Sequence, residues 1–579
     1  MDFDFNTRVI LKTRFTFLNR EVLSFHAAAI IMGAALFASK LFGLLRDRLL
    51  AAHFGAGDAL DVYYAAFQIP DLLYTLFLVG AASAAVLPVF LEYERKGKGA
   101  AERFIGNLLV IFSAIAVVGI LVAILLAPWL MTLVAPGFSL AKLAIAIQLT
   151  RRMLFGTLFF GIAGILSSVL QARRRFFAFA LPPIVYNVGI IIGIVLLVPA
   201  FGVIGLSYGV LLGAILQVVV LVPTILLVGF RIRPSFSFSD PGLRRVLTTS
   251  LPRVAALGMS QLTITALAAI ASLFAPGSVA VFKLAANLLY VPVGLIGVSY
   301  ALAMFPKLSG ASLDGQGEVF RKHVLLGMRT ILFWTLPIVA VTIVLRAHLV
   351  RVILGAGAFN WMNTRLVVAT LAVLAVAILS ESLLPLVIRA FYALGDTTSP
   401  LVWDVVGSLA TFAFSIFFAV WFAHSPAILA FLANLFRIGD LASPKILAVA
   451  LGFTLGSLVN ILLLFFALRR VTARRFDVAL GFGAGEIATM AAAALLAGVA
   501  AYLVLLPFPA LIPTNTFLGI LAQGLSAGIV GFAVYGFLLA MRGNEEIMAI
   551  IQVFRKRLLT LGRTPQVYET EKLDGEGGK

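Results

Sequence analysis

The sequence predicts an all-α polytopic membrane protein of about 14 transmembrane helices. Two parallel six-helix repeats would form two lobes around a central cavity, with two extra C-terminal helices beside them. Three observations support this. Hydrophobic residues fill 62% of the 579 positions and charged residues 12%, where soluble proteins carry about 25% charged residues. Apolar runs of roughly 20 to 30 residues alternate with short Gly/Pro or basic breaks, which fits helices rather than barrel strands of about 10 alternating residues. Finally, one half of the chain can be laid on the other at a nearly constant shift.

In chain order the expected spans lie near 27–53, 60–93, 104–133, 142–172, 177–200, 203–230, 247–274, 279–306, 323–352, 364–392, 399–423, 446–468, 480–507 and 516–541. Basic residues fall on alternate connections. They include Arg95, Lys96 and Lys98, then Arg173–Arg175, Arg231, Arg233, Arg244 and Arg245, and later Arg469, Arg470, Arg474 and Arg475. The connections between them, such as GAGD, VAPGFS and FAPGS, are nearly free of Lys and Arg. By the positive-inside rule both termini are expected in the cytoplasm. The formal charge of +19 is then a topology signal and a match to anionic membrane lipid, with no nucleic-acid partner implied. The first 25 residues are too polar and acid-bearing for a signal peptide.

A shift of 218 residues lays Tyr64 on Phe282, Pro88 on Pro306, Gly137 on Gly355, Pro182 on Pro400 and Gly189 on Gly407. The shift then becomes 243, pairing Gly209 with Gly452, Gly213 with Gly456 and Gln217 with Asn460. The 25-residue difference marks an insertion near 425–445, expected as a short helix lying on the membrane. Six spans per repeat is an even number, so both repeats enter from the same side, as in parallel-repeat transporters. The expected units are a cytoplasmic segment 1–26, a lobe 27–230, a linker 231–246, a lobe 247–468, an added helix pair 480–541 and a cytoplasmic tail 542–579. An amphipathic piece is expected in that tail near 547–559.

The chemistry concentrates between Ser39 and Asp61, where Lys40, Arg46, Asp47 and Arg48 interrupt an apolar helix. A charge near the middle of a membrane helix costs roughly 2.5–3.5 kcal/mol, so such residues normally face a bundle interior or a wet cavity on a substrate or ion path. An internally neutralised helix-docking cluster is the plainer alternative. Arg151 and Arg152 are adjacent cations within another span and need an anionic partner or water. Asp61 and Asp71 lie where capping or a helix break accounts for them equally well. A cationic lobe suits an anionic headgroup, since guanidinium matches phosphate oxygens bidentately. No Cys is present and the five His are scattered, so thiolate chemistry and metal sites are not expected. There is no Walker motif and no acid/base constellation, so neither ATP hydrolysis nor catalysis is expected.

The segments SKLFGLLRD at 39–47, FGAGDALDVYYAAFQIPDLL at 54–73, LTRRM at 149–153, RFFAFALPPIVYN at 175–187 and RAFYALGDTTSP at 389–400 resemble the MurJ (MviN) lipid II flippases. That family belongs to the multidrug/oligosaccharidyl-lipid/polysaccharide exporter superfamily. The resemblance implies a monomeric transporter of the bacterial inner membrane. It would move a polyprenyl-diphosphate-linked peptidoglycan precursor between leaflets by alternating access, with the added helix pair holding the lipid tail. It carries substrate contact onto Ser39, Arg46, Asp47 and Asp61, with Lys40 where an Arg is common. The Arg-bearing position on the second helix is Tyr74 or Thr75, and the Asp-Arg pair of helix eight is replaced by Ala286 and Asn287, with Lys283 one turn earlier. Lys40, Arg48, Arg151 or Lys283 would then supply the remaining positive charge. The acidic sodium-site pattern of some members is not evident around Thr411 and Ser415, and no coupling ion or other cofactor is specified. Three other readings stay open: a flippase for another lipid-linked envelope oligosaccharide, a cation-coupled drug exporter, and a non-transporting scaffold.

Overall fold

The computed structural model describes residues 19–22, 25–76, 86–441, 444–481, 483–508, 516–549 and 551–552, and among them there is no β-sheet. Most of the expected segment 1–26 and of the tail, including 553–559 of the amphipathic piece, lies outside the described residues.

The first half contains α1 (Phe25–Phe54), α2 (Asp58–Tyr74), α3 (Val86–Arg95), α4 (Lys98–Val134), α5 (Leu140–Ala172) and the short α6 (Phe176–Ala180). It continues with α7 (Pro182–Phe201), which contains a π turn at Gly193–Leu197, and α8 (Ile204–Leu227). The second half runs from α9 (Pro241–Ser272) to α10 (Ser278–Leu313), which has its own π turn at Val293–Val298. Then come α11 (Gly317–Leu354), α12 (Trp361–Leu374), α13 (Ala377–Ala393), α14 (Thr398–His424), α15 (Pro426–Leu435) and α16 (Leu447–Phe476). Last are α17 (Ala484–Leu505) and α18 (Phe517–Met541), which pack on each other and on α11.

Ten helices are long and apolar enough to cross a membrane, or eleven with α12 and α13, bent by 49°, taken as one span. The expected count of fourteen then depends on α1, on α2 with α3, and on α9, which occupy the three remaining expected positions.

Packing between α7 and α8 relies on missing side chains. A Cβ at Gly189 would stand 2.3 Å from Gly213 Cα, and one at Gly193 would stand 2.4 Å from Gly209 Cα. Small residues let membrane helices approach closely where the hydrophobic effect cannot drive association. The α14/α16 pair does the same, with Gly452 against Ser415 and Gly456 against Thr411. The insertion near 425–445 contains α15 and is pinned by Arg365, whose Nη1 donates to Asp440 Oδ2 at 2.8 Å and whose Nε donates to the Arg437 carbonyl at 2.8 Å.

The two halves are sealed against each other at the end of the bundle whose connections are poor in Lys and Arg, here the neutral face. Ala358 N donates to Ala52 O at 2.8 Å. Gly277 adopts φ +90°, and any Cβ there would strike Ala56 O at 2.1 Å. Gly137 N donates to Ser272 Oγ at 3.1 Å. Glycine supplies both the left-handed backbone and the space that these crossings require.

Candidate functional site

Helix α1 places Lys40, Arg46 and Asp47 between α7 and α10. Arg46 Nε and Nη2 both donate to Asp47 Oδ1, at 3.0 and 2.8 Å, and Arg46 Nη1 donates to Asn187 Oδ1 at 3.1 Å. Asn187 is oriented in turn by donating to Pro183 O at 2.9 Å and Ser39 O at 3.4 Å. Asn187 sits one turn into α7, on the stretch held against α8 by the glycine contacts, so backbone packing fixes its amide.

The other oxygen of Asp47 reaches the opposite half, where Asn287 Nδ2 on α10 donates to Oδ2 at 2.9 Å. Asp47 is buried and Arg46 is about one-fifth exposed. The Lys40 side chain also meets the second half, running beside Gly294 in the α10 π turn, where a Cβ would lie 3.5 Å from Lys40 Cε. Lys283 on α10 and Arg46 lie within electrostatic reach of Asp71 on α2. Lys40, Arg46 and Lys283 against Asp47 and Asp71 leave one positive charge uncompensated in this interhelical site. Arg46 commits three of its five N–H groups to Asp47 and Asn187, which leaves one N–H on each of Nη1 and Nη2 for an anionic oxygen.

Six of the nine residues expected from sequence fall in or beside this cluster: Ser39 through its carbonyl, Lys40, Arg46, Asp47, Lys283 and Asn287. The other three are placed elsewhere. Arg48 projects away from it, with Nη1 donating to Val352 O at 2.6 Å at the end of α11 and its guanidinium 5.4 Å from the Phe517 ring. Basic side chains near a helix C-terminus satisfy its orphan carbonyls, which accounts for this position. Arg151 Nε donates to Ile124 O on α4 at 3.2 Å, within the first half. Asp61 accepts from Gly277 N at 2.6 Å and Ala280 N at 2.9 Å, so it caps α10 from the other half and closes the neutral face.

Sequence reasoning carried Asn187 only as the end of the 175–187 motif, and it did not mark Tyr63, Tyr64 or Tyr186 as site residues. The phenols of Tyr63, Tyr64 and Tyr186 lie within electrostatic range of Arg46, and buried Tyr64 Oη has no hydrogen-bond partner among the described residues. The YY pair followed by Ala65 and Ala66 was the available signal. Beside the cluster, Leu44, Leu288, Pro292, Leu295, Ile353 and Ile378 help line an apolar cavity of about 290 Å³.

Comparisons with known proteins agree with this architecture. The family profile described as lipid II flippase MurJ matches residues 50–434. A probable lipid II flippase MurJ of Rhizobium tropici is 29% identical over 396 residues, covering 67% of this chain and 74% of that one. The lipid II flippase MurJ of Burkholderia cenocepacia is 28% identical over 389 residues, covering 65% and 75%. A solved lipid II flippase MurJ in an inward closed conformation shares the fold with a TM-score of 0.70, at 22% identity, over 90% of this chain and all of that one. An inward-facing multidrug resistance MATE family transporter of the MOP superfamily gives 0.59 at 17% identity over 76% and 96%.

Proposed function

Because the chain belongs to the lipid II flippase MurJ family, we propose that it moves lipid II from the inner to the outer leaflet of the bacterial inner membrane, with Arg46 as the central diphosphate contact. The observation that carries this assignment of Arg46 is its two uncommitted N–H groups, on a guanidinium held by Asp47 and Asn187 in a net cationic site between the halves. A diphosphate oxygen would take the open N–H groups of Arg46. Lys40 and Lys283 add point charge from either side without the bidentate geometry of a second arginine. Asp47 limits repulsion among the cations and links the halves through Asn287. The apolar cavity beside Leu44 offers a path for the polyprenyl chain.

The basic face lies in the cytoplasm by the positive-inside rule, which places both termini there. The neutral face is then the outer gate, closed here by Asp61, Gly277 and the Ala52–Ala358 contact. Transport consists of rocking that breaks these contacts while opening none of the covalent bonds of the cargo. A net cationic site argues against small organic cations as substrate.

The test is mass spectrometry of lipid retained by gently purified protein. Wild type should carry a polyprenyl-diphosphate muropeptide that Arg46→Ala loses. A different polyprenyl glycan on wild type would move the cargo to another envelope polymer, and equal retention by both proteins would remove Arg46 from the site.

A further inference from the structure

The connection between the halves, residues 231–240, is an extended strand clamped onto α4 with an alternating pattern that the transport site does not use. Odd-numbered residues bind the helix. Arg231 N donates to Glu102 Oε1 at 3.0 Å, Arg233 Nε donates to Glu102 Oε2 at 2.9 Å, and Ser235 Oγ donates to Arg103 O at 3.3 Å. Both backbone groups of Ser237 are taken by one side chain: Asn107 Oδ1 accepts from Ser237 N at 2.7 Å and Asn107 Nδ2 donates to Ser237 O at 2.9 Å. A Cβ at Gly106 would overlap Arg233 O at 1.9 Å, so the strand needs glycine beneath it. Even-numbered residues are apolar and exposed: Ile232, Pro234, Phe236 and Phe238. These four alternate with the residues bonded to α4 and stay exposed, on the open side of the segment. Phe236 and Phe238 are 64% and 60% exposed and stack edge to face at 5.2 Å.

Position along α4 says what covers them. Ala114, Val117, Leu121, Leu125 and Leu133 are exposed apolar residues on this helix. The run from 114 to 133 rises about 29 Å at 1.5 Å per residue, close to the ~30 Å hydrocarbon thickness. Asn107, two turns before Ala114, lies about 10 Å below the first of these residues, near the headgroup end of the expected 104–133 span. By helical spacing it shares a face with the exposed Arg103, Ala114, Val117 and Leu121, and the 231–237 segment lies over it there. The strand therefore climbs the membrane-facing side of α4, from Glu102 at Arg231 to Asn107 at Ser237, and its aromatic pair is the part nearest the bilayer. Arg103 on α4 and Arg244 at the start of α9 are both exposed, a match to anionic headgroups.

We infer that the interhalf strand is a membrane anchor, inserting Phe236 and Phe238 into the interfacial layer of the leaflet on the basic side. This ties the connection between the moving halves to the bilayer and to α4. The inference rests on the proposed orientation only for the name of that leaflet.

The chain contains no cysteine, so Phe236→Cys and Phe238→Cys can each carry a single nitroxide in the full-length protein. The protein is placed in nanodiscs containing phosphatidylglycerol, with Leu125→Cys as the lipid reference and Asp314→Cys as the aqueous one. Collisions with a water-soluble nickel chelate should be severalfold rarer at 236 and 238 than at 314, with oxygen collisions raised toward the value at 125. Nickel access at both positions equal to that at 314 would overturn the inference. The readout is depth and not transport, so loss of flippase activity in any variant leaves the test intact.

Discussion

Replacing Asp61 by Asn should loosen the neutral face without emptying the core. The carboxylate accepts from two backbone N–H groups of the other half, at 2.6 and 2.9 Å. An asparagine keeps the shape but turns one acceptor into an NH2 that faces an N–H. One charge-assisted bond is lost and a buried donor is left unpaired, which costs about 1.5–3 kcal/mol. At 1.36 kcal/mol per decade that is roughly a 10- to 100-fold shift away from the closed arrangement. With no native cysteine, the pair Ala52→Cys and Ala358→Cys reports closure, because the backbones of these residues meet in a 2.8 Å hydrogen bond. A short bismaleimide should cross-link the pair efficiently in the parent background and much less in Asp61→Asn. Equal cross-linking in both backgrounds, with both proteins monodisperse, would refute the idea that Asp61 latches the gate.

Other perturbations test separate parts of the molecule. Gly213→Val sets a Cβ 2.5 Å from Tyr186 O, next to the residue that holds Arg46. It should cost about 1–3 kcal/mol of stability, read as a lower thermal midpoint in detergent, and should weaken lipid retention as well. Arg46→Lys keeps the charge but not the fork, so retained lipid should fall between wild type and Arg46→Ala; a value equal to wild type would deny a bidentate role. Arg329 joins α11 to Glu546 at 2.6 Å and to Glu545 at 3.2 Å. Arg329→Ala should expose the segment after α18 to trypsin. Asp440 is held below the usual carboxylate range by its hydrogen bond from Arg365. A depressed carboxyl stabilises above its unfolded pKa, about 3.9, and the effect fades as pH falls through the lower folded value. Protease protection of the 425–445 insertion should therefore hold at neutral and mildly acidic pH and fail only in stronger acid.

The fold could be read from the chain because membrane insertion leaves a long-range composition signal. Each helix had to be apolar over a span, and each connection had to carry or lack basic residues according to its side. Charged elements were harder to class as spans: α1 carries the Lys40–Arg48 charges, and the first turns of α9 carry Arg244 and Arg245. The repeat was legible at glycines because they mark backbone crossings. Gly189 and Gly213 pair in space within one half, and Gly407 and Gly456 at the shifted positions meet Asn460 and Thr411 in the other.

The site was legible only where charge itself was the signal. Lys40, Arg46 and Asp47 stand out because an apolar segment has no other use for them. Adjacency in sequence could not reveal that Arg48 turns to the end of α11 while Arg46 turns to Asn187. Residues two apart on a helix point about 200° apart, and each found its partner in a different neighbour. Nor could the substitution of a charged pair by Ala286 and Asn287 be weighed without knowing what faces it. The structure shows Asn287 donating to the Asp47 oxygen that Arg46 leaves free. A second arginine there would compete with Arg46 for the same carboxylate and add a second fork. With Asn287 the link between the halves stays neutral and no second cation shares Asp47 with Arg46, so the affinity for a diphosphate should depend more heavily on Arg46. Asn287→Arg should accordingly raise retention of polyprenyl-diphosphate lipid and make Arg46→Ala less damaging in that background. A double variant that loses as much lipid as Arg46→Ala alone would show that position 287 acts only as a tether.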